Sequence, residues 1–160
     1  MTGEIERPVS RPEAAAPPAS LPLAQDFNAG SLYALRSAVA AHAAAAGLSR
    51  HRVYDITAAA HELAANAVLH GAGHGSLRLW TQDTYLWCAV ADDGTAGNGD
   101  GHAEPDGSRA TEADGVPWPV VHGHGLWMVG KIADNVRVDR GHAGTVITAC
   151  FAMDPDGDGR

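Results

Sequence analysis

The chain has 160 residues, 45% of them hydrophobic, which suffices for one domain with a proper core plus tails. A formal net charge of −8 argues against direct contact with nucleic acid or an anionic membrane, because both need clustered Lys and Arg. The longest apolar stretches are alanine-rich, interrupted by His or Gly and shorter than a bilayer requires, so no membrane span is expected.

Residues 1–20 hold Pro8, Pro12, Pro17 and Pro18 among charges and alanines. Such a composition has little to bury and predicts a disordered arm. It also lacks the continuous apolar core of a signal peptide, so a cytoplasmic location is expected. The folded domain is expected over 21–152. Residues 21–27 read as a short edge strand. Ser31 is placed to cap an alanine-rich helix running through Ala46, with Leu32, Leu35 and Val39 on one stripe and Gly47 at its end. Ser49 can cap a second helix that reaches about His70 and is ended by Gly71. Its apolar stripe is Ile56, Ala60, Leu63 and Ala67, at intervals of three and four.

Two strands follow near 76–82 and 85–91, with Asp83 and Thr84 as the hairpin turn. The second is nearly continuous in apolar residues, as a central strand should be. Trp80 and Trp87 at strand positions read as packing residues. Cys88 and Cys150 lie in apolar runs and read as buried thiols, not as a disulfide. From Gly94 to about Gly123 the pattern fails, and a stretch that long without regular structure is usually functional or disordered. A short helix is expected at about 126–133, with Trp127 packed against the sheet, then strands near 136–139 and 145–151. The tail over 153–160 contains Asp154, Asp156, Asp158 and Gly159. These mimic the start of an EF-hand loop, but the closing glutamate and flanking helices are missing, so a solvated tail is the expectation. The order β-α-α-β-β-loop-α-β-β predicts an α+β, two-layer fold with a mixed, mostly antiparallel sheet and helices on one face.

Three segments carry possible chemistry. Glu62 and Asn66 are four apart on the second helix and share one face beside the apolar stripe. Glutamate can take a proton from an attacking hydroxyl, and an asparagine oxygen can hold Mg²⁺ while phosphates supply the negative charge. Alone, the E-x-x-x-N spacing is common on helix surfaces. Asp92, followed by Asp93 and Gly94, ends the central strand, where a carboxylate can accept a hydrogen bond from an exocyclic amine such as that of adenine. Alone, Asp-Gly is ordinary turn chemistry. The third segment is His122-Gly123-His124-Gly125-Leu126, a glycine loop opening onto a helix. Its glycines let backbone approach a polyphosphate, and the helix N-terminus offers N–H groups and a positive dipole.

In this order the three segments resemble the GHKL (Bergerat-fold) ATPase superfamily over about residues 27–151. Glu62 and Asn66 match its N-box, Asp92-Asp93-Gly94 its first glycine box, and Gly123-His124-Gly125-Leu126 its second. Gly144-Thr145 is similar to the closing element. The runs HELAANAVLHG, GHGLWMV and ADNV are particularly similar to the anti-sigma regulatory serine/threonine kinases. The resemblance implies ATP and Mg²⁺ as ligands, with Asp92 on the adenine amine and Thr145 supporting it. It further implies Asn66 on Mg²⁺, Glu62 as general base, and Gly94, Gly123, His124, Gly125 and Leu126 around the nucleotide.

The same resemblance implies phosphorylation of an anti-anti-sigma (STAS-like) partner, control of a sigma factor, and a possible homodimer. The expected lid, about 94–122, carries Asp100, Glu104, Asp106, Glu112 and Asp114 against Arg109 alone. That imbalance keeps open a second reading, an ATP-binding module that sequesters a protein partner without catalysis. Nine histidines invite a metal site, but zinc needs three or four convergent ligands, and loop histidines are the plainer account.

Overall fold

The topology follows from two helices returning the chain to the end of the sheet where it left. The structure, a computed structural model, describes residues 22–92 and 125–153. The expected arm, the lid, Gly94, Gly123, His124 and the aspartates of the tail lie outside the described residues. Strand β1 (Leu23–Asn28) leads into helices α1 (Leu32–Ala45) and α2 (Arg50–His70), then strands β2 (His74–Gln82) and β3 (Tyr85–Asp92). Helix α3 (Gly125–Ile132) precedes strands β4 (Asn135–Gly141) and β5 (Gly144–Ala152).

The strand order is β1-β2-β3-β5-β4, and all four ladders are antiparallel. The expectation is a mixed, mostly antiparallel sheet, and among the described residues the antiparallel part is all of it. Two hairpins and the α1–α2 pair make every neighbour antiparallel, while β3 and β4 run the same way but have β5 between them. The fold is α+β, in two layers. As expected, β1 is an edge strand and β3 is central, buried from Leu86 to Val90. No helix of the described residues is long and apolar enough to cross a membrane.

One cluster joins the helices to one face of the sheet. Leu35, Val39 and Ala43 of α1 meet Ile56, Ala60, Leu63 and Ala67 of α2 over Leu77, Leu79, Cys88, Ala149 and Phe151. The stripe read for α2 is therefore its buried face. Alanines at 59, 60, 64 and 67 are all buried in the same cluster. Gly47 ends α1 with φ +92°, the left-handed conformation a helix-terminal glycine supplies. Ser49 caps α2, its side chain accepting from the Arg52 N–H at 3.3 Å. Ser31 behaves differently from expectation. It holds the N-cap position of α1 without a side-chain cap bond, because a 3₁₀ turn (Ala29–Ser31) precedes the helix. Its hydroxyl instead accepts from the Asn28 N–H at 2.9 Å.

On the other face, Trp80 and Trp87 stand opposite each other on β2 and β3. They stack with ring centroids 6.2 Å apart and planes 11° apart, beside Ala89 and Cys150. Their role as packing residues stands, although both indole N–H groups are buried without an acceptor among the described residues. Trp127 is corrected. It lies on the outer side of α3, 58% exposed, with Lys131 Nζ 5.4 Å from its ring centroid, so cation–π contact takes the place of packing on the sheet.

Cys88 and Cys150 are buried in different clusters, on opposite faces of the sheet. Neighbouring strands cannot bridge them from opposite faces. Burial pushes each thiol up to about 12, for Cys150 with help from the nearby Asp134 charge. A polar tie also fixes α2. Arg52 donates to Asp55 Oδ2 at 3.4 Å and to the Ile132 carbonyl at 3.1 Å, and pairs with Asp134. Asp134 in turn accepts from the Ala152 N–H at 2.6 Å. One guanidinium thus links the start of α2, the end of α3 and the last strand.

Two outcomes follow. At pH 8 the native protein should show almost no thiol reacting with an aromatic disulfide reagent over minutes, against two in denaturant, because the thiolate is the nucleophile. Arg52→Leu should lower unfolding free energy in urea by about 2–3 kcal/mol, leaving Asp55 buried without its guanidinium. A loss below about 0.5 kcal/mol would mean that the tie is incidental.

Candidate functional site

The C-terminal half of α2 forms one wall of the site. Glu62 and Asn66 are both partly buried and lie one turn apart, about 6 Å, beside the buried Leu63, Ala64 and Ala67. The start of α3 closes onto them. A Cβ on Gly125 would lie 2.6 Å from Glu62 Oε2 and 3.5 Å from Asn66 Nδ2. Leu126 packs against the core cluster and so anchors that first turn. Its N–H groups and the positive end of the α3 dipole therefore sit beside the Glu62 carboxylate.

The other end of the site is built on β3. Asp92 is its last residue and is paired in register with Thr145 at the start of β5. Asp92 Oδ1 accepts from the Ala72 N–H at 3.2 Å. Rises of 1.5 Å per residue put Gly71 about 7–8 Å along the α2 axis from Asn66 and about 13–14 Å from Glu62. The arrangement is a carboxylate beside a threonine at one end, and a carboxylate, an amide and a glycine-started helix at the other. Of the residues singled out in the sequence, the structure brings Glu62, Asn66, Gly125 and Leu126 together, and separately Asp92 and Thr145. Gly94, Gly123 and His124 are outside the described residues.

Gly71, expected to stop α2 and the last residue of the HELAANAVLHG run, also lies against Asp92. A Cβ there would fall 1.7 Å from Asp92 Oδ2, 2.5 Å from its Cγ and 2.6 Å from the Ala67 carbonyl oxygen. The signal was present, a glycine directly after the helix, but helix termination explained it locally. Among the described residues no three His, Cys, Asp or Glu side chains cluster as a metal cage. An asparagine amide one helical turn from a carboxylate suits Mg²⁺, which keeps few protein ligands and completes its shell with phosphate and water.

Comparison with known proteins gives the same frame. A profile of the histidine kinase-like ATPase domain matches residues 27–151. Among solved structures, the chain is similar to the RsbU and RsbW domains of Rv1364c from Mycobacterium tuberculosis, with a TM-score of 0.56 and 17% identity. That likeness covers 82% of this chain and 32% of the other, so the chain spans about a third of its neighbour's length and the likeness speaks for the fold. A search of the curated proteins finds no significant match.

Gly125→Ala tests the geometry without any ligand. Its Cβ meets mainly the mobile end of Glu62, and alanine favours helix, so stability in urea should change by less than about 1 kcal/mol. The Glu62 carboxyl carbon resonance should shift while that of Asp92 stays. A shift at both, or at neither, would contradict the described contact.

Proposed function

The chain belongs to the histidine kinase-like ATPase domain family, and from that premise we propose that it is an ATP-dependent serine/threonine kinase of the anti-sigma type. It binds ATP with Mg²⁺ in the cytoplasm, phosphorylates a STAS-like anti-anti-sigma protein and thereby controls a sigma factor. The observation that carries the reading is the meeting of Glu62, Asn66 and Gly125 at the start of α3.

Each residue has a role in this reading. Asp92 accepts a hydrogen bond from the adenine amine, and Thr145, opposite it in the ladder, supports that carboxylate. The start of α3 faces the phosphates with backbone N–H groups. Asn66 offers its amide oxygen to Mg²⁺, which when bound neutralises charge on the phosphates. Glu62 takes the proton from the seryl or threonyl hydroxyl. That oxygen forms a bond to the γ-phosphorus as the bond from phosphorus to the ADP oxygen breaks. Such transfer depends on positioning and charge stabilisation, which a domain of this size can supply.

The second reading, a non-catalytic ATP-binding module that holds a protein partner, is favoured by one sequence feature. The segment 94–122 has five acidic residues between Asp100 and Asp114 and only Arg109 as a cation, a poor counter-charge for a transition state rich in negative oxygen.

Labelled ATP, Mg²⁺ and candidate STAS-like proteins distinguish the two. Label should move to a seryl or threonyl residue of one partner. Glu62→Gln should keep ATP binding but lower transfer about 10²–10⁴-fold, whereas Asn66→Ala should lose Mg²⁺-dependent affinity as well. Asp92→Asn should weaken ATP binding by about 1.5–3 kcal/mol, a charge-assisted hydrogen bond. No transfer to any cognate partner, with ATP-dependent capture of a sigma factor retained, would make the second reading the correct one.

A further inference from the structure

Glycine is needed at position 71 for space and not for conformation. Its φ of −105° is negative, unlike that of Gly47 at φ +92°, so it is not the left-handed conformation that calls for a glycine here. The space is taken by the Asp92 carboxylate. A Cβ would lie 1.7 Å from Oδ2, and the Ala67 carbonyl, 2.6 Å away, blocks retreat on the other side. That carbonyl accepts the Gly71 N–H at 3.1 Å and is part of the helix end, so it gives less readily than a side chain.

Asp92 sits at the C-terminal end of α2, whose last turn carries His70. The Ala72 N–H reaches its Oδ1 at 3.2 Å, so a backbone donor as well as close approach fixes the carboxylate.

We propose that Gly71, with the Ala72 N–H, is a positioning residue for recognition of the base. It leaves the space in which the Asp92 carboxylate lies over the end of α2, with one oxygen held by the Ala72 amide and the group aimed at an exocyclic amine. This rests on the reading of Asp92 as the acceptor for adenine. The consequence is selectivity: ATP carries an amine at that position of the purine, whereas ITP carries a carbonyl oxygen that a carboxylate repels.

The experiment compares ATP and ITP binding by calorimetry, with Mg²⁺, for wild type, Gly71→Ala, Ala72→Pro, Asp92→Asn and Gly71→Ala/Asp92→Asn. Ala72→Pro removes the N–H without adding a Cβ at position 71, and its ring Cδ, on the side of the lost hydrogen, also presses on Asp92 Oδ1. Wild type should prefer ATP by about ten-fold or more, since a site built for a hydrogen bond rejects the analogue lacking the donor. Gly71→Ala and Ala72→Pro should each lose most of that preference, while ITP affinity changes less than three-fold. In the Asp92→Asn background Gly71→Ala should add nothing, the coupling expected when one residue acts through the other.

Circular dichroism and urea midpoints establish that each variant is folded. If Gly71→Ala does not fold, Ala72→Pro carries the test. Wild-type preference that survives in a folded Gly71→Ala or Ala72→Pro protein overturns the positioning role and leaves the adenine reading intact. Equal ATP and ITP affinity in wild type would instead remove the adenine reading of Asp92, and this inference with it.

Discussion

The site depends on the closeness of α2 to the ends of the elements around it. Alanine at 59, 60, 64 and 67 is buried in the core that α2 shares with α1 and the sheet, and two glycines leave room for close contacts, the one at Gly71 too tight for a Cβ. At Gly125 the start of α3 reaches the Glu62 carboxylate, and at Gly71 the Asp92 carboxylate lies over the helix end. Without that spacing the same residues would be a surface glutamate, a surface asparagine and a turn aspartate. The chemistry is therefore a product of backbone approach as much as of side-chain identity.

Much of this was legible in the sequence. Period-three and period-four spacing gave the buried stripe of α2, and the apolar run of β3 gave the central strand, because burial on both faces removes alternation. Motif order brought Glu62, Asn66, Gly125 and Leu126 into one site, where each motif alone is weak. Ser31 and Trp127 show the limits. A serine before a helix is a local signal, and the 3₁₀ turn from Asn28 overrode it. Trp127 is apolar in a short helix, but α3 has one fully buried position, Val129, so its outward face must expose something large.

What the sequence did not disclose is long-range and polar. Arg52 and Asp134 are 82 residues apart, and nothing in either neighbourhood marks them as partners. The same holds for Gly71 with Asp92, where each residue had a sufficient local explanation. Hydrophobic periodicity is a property of one element, whereas these contacts belong to pairs of elements. The Arg52 tie matters to the site because it links the end of α3 and the last strand to the start of α2, the helix that carries Glu62 and Asn66.

The central claim is that one ligand, ATP with Mg²⁺, spans both ends of the C-terminal half of α2. The most direct measurement is an amide NMR titration of the ¹⁵N-labelled protein with a non-hydrolysable ATP analogue and Mg²⁺. The account predicts the largest shifts at two separated groups, Gly71, Ala72, Asp92 and Thr145 at the base end and Glu62, Asn66, Gly125 and Leu126 at the phosphate end. Adenosine alone should move only the first group. Shifts confined to one end with the full nucleotide, or centred on the outer face around Trp80 and Trp87, would contradict it.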